Sequence, residues 1–161
     1  MLFMKKREMK AGIVTIVALF LTGGFLGWLL DTVYRSITEQ AFSHAGYLEA
    51  LTGIVIPFLP VYGFGTLLIY FSRIELREKN IITKAAAYGI SLTLLELIAG
   101  IFTILTLQKP LWDYSASAYN YLGIIDGTHT MFWIVLALIA EEMIELTEKY
   151  SEKHYILFYT K

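Results

Sequence analysis

Between Ala85 and Gln108 the chain reads AAAYGISLTLLELIAGIFTILTLQ, and the one charged residue in that run is Glu96. A helix over this stretch can cross the ~30 Å hydrocarbon core of a bilayer at about 1.5 Å per residue. A carboxylate at that depth is costly, so it must face protein or water, as a functional group or as one that pairs helices. The run therefore demands both a membrane setting and a polar partner inside it.

Composition agrees with that setting. Of 161 residues 57% are hydrophobic and 17% charged, and the mean hydropathy is +0.59, too apolar for an ordinary soluble domain. With no cysteine there is neither a disulfide framework nor thiolate chemistry. His44, His129 and His154 are scattered and lack the compact spacing of a metal site. The chain has no Walker phosphate loop, GxSxG elbow, HExxH helix or dinucleotide fingerprint. No cofactor and no metal is expected, and ATP hydrolysis by the Walker route would fall to another subunit. Nucleic-acid binding is excluded, because the basic residues cluster only where membrane topology already requires them.

Four apolar segments are read as spans of one membrane domain, at about 11–30, 50–72, 85–108 and 123–146, followed by a tail over 147–161. The uninterrupted apolar core of the fourth is Met131–Ala140, and Asp126 and His129 fall in its first turns. Ala11–Leu30 is longer than a signal-peptide core and no small-x-small cleavage site follows it, so it is read as a span. Lys5, Lys6, Arg7 and Lys10 precede the first span, and Arg73, Arg77, Lys79 and Lys84 lie between the second and third. The positive-inside rule then gives cytoplasmic N- and C-termini in a cell membrane, read here as bacterial. The aromatic end HYILFYTK is expected on the membrane surface. The fold class is an all-α integral membrane protein with four transmembrane helices.

The second span contains PFLPVYGFG, Pro57–Gly65, and two prolines with two glycines this close break a helix. Broken backbone at membrane depth must be satisfied by protein or water and is a common place for a transporter to bind substrate. Tyr62 lies in that element. On the third span Ala86, Gly89, Thr93, Glu96, Gly100 and Thr103 recur at three- and four-residue steps, which puts small and polar groups on one face. On the first, Gly23, Gly27, Asp31 and Arg35 form a similar stripe in which Asp31 and Arg35 can pair as i,i+4 neighbours. Counted from the cytoplasmic ends, Glu96 is about 18 Å and Asp31 about 31 Å along its helix, which sets Glu96 near mid-membrane and Asp31 at the outer boundary.

GWLLDTVYRS (Gly27–Ser36), GYL (Gly46–Leu48), PFLPVYGFG, the Leu95-Glu96 pair, and WDYS (Trp112–Ser115) followed by Asn120 and Gly123 occur in one order along the chain. Together they resemble the CmpB-like family of small four-span proteins named as type IV ABC-transporter permeases, over roughly Gly23 to Trp133. The resemblance implies transport and brings no established substrate. Departures from the family pattern are Asp31 in place of glutamate, additional residues between Leu48 and Pro57, and Leu122 and Ile124 in place of polar residues.

The reading that joins these features is a permease-like or transport-associated membrane protein with an outward-facing polar cavity centred on Glu96. Asp31 and Arg35 form its mouth, and Trp112, Asp113, Tyr114, Ser115 and Asn120 cover it. Partners are the lipid bilayer, an ATPase or other membrane subunit, and further copies of the chain. Two other classes remain open: a membrane-embedded enzyme acting on a lipid or lipid-linked substrate, with Glu96 or Asp113 as general acid or base, and a small scaffold of a membrane complex. The structural alternative for Glu96 is helix pairing. For Trp112, Tyr114, Tyr119 and Tyr121 it is an interfacial aromatic belt, and for Asp113, Ser115 and Asn120 it is a set of loop and cap residues. Glu141, Glu142 and Glu145 are read as the solvated cytoplasmic exit of the fourth span.

Overall fold

The computed structural model describes residues 12–40, 42–44 and 46–159, with the side chains of 47, 48, 50 and 151–159 left aside. The basic cluster Lys5, Lys6, Arg7 and Lys10 and the side chains of the aromatic end lie outside the described residues. The protein is mostly helical. Its elements are α1 (Ile13–Thr38), α2 (Tyr47–Thr52), α3 (Pro60–Leu76), α4 (Ile81–Leu107), β1 (Asn120–Tyr121), β2 (Ile125–Asp126) and α5 (Gly127–Tyr159). Two of these helices, α1 and α4, are long and apolar enough to cross a membrane. The 17 residues of α3 are fewer, and α5 carries carboxylates from Glu141 onward.

The chain groups into two compact units, Met1–Leu67 with Phe102–Trp112 and Leu68–Ile101 with Asp113–Lys161. In the first, α1 meets the start of α3 through glycines. A Cβ at Gly24 would fall 2.0 Å from the Phe58 ring, and one at Gly27 would fall 2.0 Å from the Tyr62 ring, so hydrogen at these positions is what lets aromatic rings lie on the helix backbone. The segment between α2 and α3 is not helical: α2 stops at Gly53, which takes φ +72, and α3 starts at Pro60. Proline suits the first turn of a helix, where its missing N–H has no partner to lose. The Leu59 N–H of this open stretch donates to the Gly24 carbonyl at 3.0 Å, so protein satisfies part of the interrupted backbone.

The second unit is built on Ile69, Tyr88, Leu92 and Ala137, with Leu68, Leu95, Trp133 and Ile144 packed around them. One expectation needs correction here: the protein is not all helix. Asn120 pairs with Asp126 and Tyr121 with Ile125 in a minimal antiparallel hairpin, so Gly123 belongs to a turn and α5 begins at Gly127. The cause is local. Leu122 and Gly123 both take positive φ, +57 and +67, and Ile124 N–H closes on the Tyr121 carbonyl at 3.1 Å, the geometry of a type I′ hairpin turn.

Candidate functional site

Glu96 is 3% exposed. It stands on the face of α4 that meets α5: a Cβ at Gly89 would fall 2.9 Å from Ile134, and the Thr93 and Thr130 hydroxyls are 3.0 Å apart. Gly100 and Thr103 continue the buried face, while Ala86 is exposed and does not share it. The Tyr114 hydroxyl donates to Glu96 Oε1 at 3.0 Å, and the Trp133 indole lies beside the same carboxyl group. Glu96 and Tyr114 are thus brought together, with Trp133 as a further neighbour.

On its other side Tyr114 stacks on the His129 ring, with centroids 4.0 Å apart and planes at 19°. His129 Nδ1 is bonded to Asp126 Oδ2. Asp126 is 3% exposed. Its Oδ1 accepts the Thr128 N–H at 2.6 Å, so Asp126 also caps the start of α5. The pair fixes the imidazole's orientation, and the polar chain runs Asp126, His129, Tyr114, Glu96. Trp133 and Thr130 were not singled out as site partners from sequence. The available signal was Asp126 and His129 one helical turn apart, beside a span that already held a buried acid. Among the described residues no group of three or more His, Cys, Asp and Glu side chains forms a metal site.

The remaining second-unit candidates bond within their own loop. Asp113 Oδ1 accepts the Ser115 N–H at 2.8 Å, and bonds from the Ser115 hydroxyl and backbone hold this exposed carboxyl below the usual carboxylate range. Asn120 Nδ2 donates to the Ser117 carbonyl at 2.6 Å, and its Oδ1 accepts the Gly123 N–H at 3.0 Å. A Cβ at Gly123 would fall 2.6 Å from Ser115 Oγ, so the loop closes around a position only glycine fits. In the first unit, Asp31 Oδ2 and Arg35 Nε are 2.7 Å apart, the expected i,i+4 pair. Tyr62 covers Gly27, and Trp112 is half-buried.

A second correction concerns Glu141. It is not solvated: it is 2% exposed, its Oε1 is 2.8 Å from Lys84 Nζ, and Tyr88 lies close to it. Lys84 lies in the first turn of α4, and a buried carboxylate needs such a partner. Arg73 pairs with Glu148 and also lies over the Tyr70 ring at 4.8 Å. Glu142 is exposed as expected.

A family model described as Putative ABC-transporter type IV matches residues 18–158, most of the chain. No curated protein and no solved structure matches it.

Proposed function

Because this chain belongs to the Putative ABC-transporter type IV family, we propose that it is a permease-like, transport-associated membrane subunit whose working group is the carboxylate of Glu96. On this reading four spans place both termini in the cytoplasm, and a polar cavity opens outward above Glu96. The carboxylate binds a cation or a polar headgroup, or carries a proton. Tyr114 positions it by hydrogen bond. Asp31 and Arg35 serve the outer mouth, Tyr62 the broken second span, and Trp112, Asp113, Ser115 and Asn120 the outer loop. The chain has no phosphate loop of its own, so an ATPase subunit is the partner that would drive it.

The observation carrying this reading is a carboxyl group that is 3% exposed in an apolar helix and held by a tyrosine hydroxyl at 3.0 Å. An ionisable group buried in an apolar span marks a functional site by default. Glu96→Gln keeps hydrogen bonding and removes ionisation. The variant should fold normally, lose transport, and lose any small molecule that co-purifies with the native protein; full transport in a well-expressed Gln variant rejects the role.

A second reading has one specific support, the buried Asp126 that orients the His129 imidazole, an arrangement general-base catalysis uses. It makes the protein an enzyme acting on a lipid or lipid-linked substrate. Turnover of such a substrate lost in His129→Gln, with transport of solutes absent from the native protein, would replace the first reading with this one.

A further inference from the structure

Two buried hydrogen-bond donors on one face of α1 have no acceptor, and the Arg35 guanidinium stands on the same face. The Trp28 Nε1–H and the Thr32 hydroxyl are buried, and neither has a hydrogen-bond partner. Arg35 meets Asp31 through Nε, which leaves the fork of two terminal nitrogens to other acceptors. At 100° per residue these three positions fall within about 60° of arc.

Thr32 is unlike Thr22 and Thr38 of the same helix. Thr22 donates to the Ala18 carbonyl at 2.7 Å and Thr38 to the Tyr34 carbonyl at 3.0 Å, the usual bond back along the helix. Thr32, at 6% exposure, makes no such bond. The loop after α1 folds back over the same region: Ser43 N–H donates to Ser36 Oγ at 3.1 Å, and the His44 ring lies 6.2 Å from Trp28. Glu49 accepts His44 at 2.7 Å, so the loop's carboxylate is already engaged.

Buried donors without acceptors are destabilising, and native proteins almost always satisfy them. One hydroxyl, one indole N–H and a guanidinium fork can all donate to a single acceptor, and the guanidinium, paired with Asp31, adds positive charge. The ligand that answers all three is an oxyanion, for which the guanidinium fork is the best-matched protein group. Leu29, Leu30 and Val33 beside them are exposed on a helix apolar enough to cross a membrane. We propose that Trp28, Thr32 and Arg35 form a binding site for a phosphate oxyanion, carried by a phospholipid headgroup whose acyl chains lie along α1. The site stands on the first unit alone and does not rest on Glu96.

The test uses the full-length protein in detergent, stripped of lipid and offered phosphatidylglycerol or diacylglycerol with the same acyl chains, with retention counted by native mass spectrometry. The wild type should retain the phospholipid about tenfold better, the worth of one charge-assisted hydrogen bond. Thr32→Val and Arg35→Gln should lose that preference, and Thr32→Ser should keep it. Lipid-free Thr32→Val should melt no lower than wild type, because it removes an unsatisfied hydroxyl. Displacement of phosphatidylglycerol by inorganic phosphate would support the oxyanion site and assign it to soluble phosphate. Equal retention of the two lipids with no displacement by phosphate overturns the site. So does a Thr32→Val protein that melts lower yet retains phospholipid as wild type does, since that is a packing role.

Discussion

Tyr114 holds two groups at once: its hydroxyl donates to Glu96 at 3.0 Å while its ring stacks on His129 at 4.0 Å. The buried acid of α4 and the Asp126–His129 pair at the start of α5 are therefore joined through one side chain from the loop between them. Removing the hydroxyl and removing the ring are different perturbations.

Tyr114→Phe keeps the ring on His129 and strips the bond to Glu96. It should destabilise the protein by about 1–3 kcal/mol, the cost of leaving a buried acceptor unmade. Thermal unfolding in detergent measures this. A further substitution of Glu96 by Gln should cost less in the Phe background than alone, because the two side chains share one interaction.

Lys84 and Glu141 form a buried pair, with side chains 16% and 3% exposed. Lys84→Met leaves the Glu141 carboxylate uncompensated and should cost about 3–5 kcal/mol, whereas Lys84→Met with Glu141→Leu should recover most of it. A double variant as unstable as the single one would mean that Tyr88, and not the charge pair, decides the stability of this cluster.

Leu122 takes φ +57 and is exposed. A left-handed conformation costs a side chain like leucine roughly 1–2 kcal/mol, and Asn-Gly is the preferred pair for a type I′ turn. Leu122→Asn should therefore raise the unfolding midpoint without changing transport. A lower midpoint would mean that leucine makes a packing contact worth more than the strain.

Reporter tags at residues 1 and 161 should both read cytoplasmic, and a tag near Gln40 should read external, on the proposed four-span arrangement. An external C-terminus with a cytoplasmic N-terminus would require an odd number of spans and overturn the four-span arrangement.

What could be read from the chain itself is what depends on residues near one another in sequence. The apolar runs that become α1 and α4 are set by side-chain composition alone, and Asp31 pairs with Arg35 because one helical turn separates them. The break before Pro60 follows from proline's missing N–H and fixed ring. The partners of Glu96 were only partly legible. Helical period placed it on a small, polar face, but which segment returned to that face depended on loop closure and packing, so Trp133 was not foreseen and Tyr114 was one loop residue among several. Glu141 shows the same limit more sharply. Its position among helix-end carboxylates suggested solvent, yet Lys84, 57 residues away, buries it by charge pairing. Helix formation is settled within a few turns, while the pairing of buried polar groups is settled by which distant side chains packing brings within about 3 Å, and only the tertiary structure decides that.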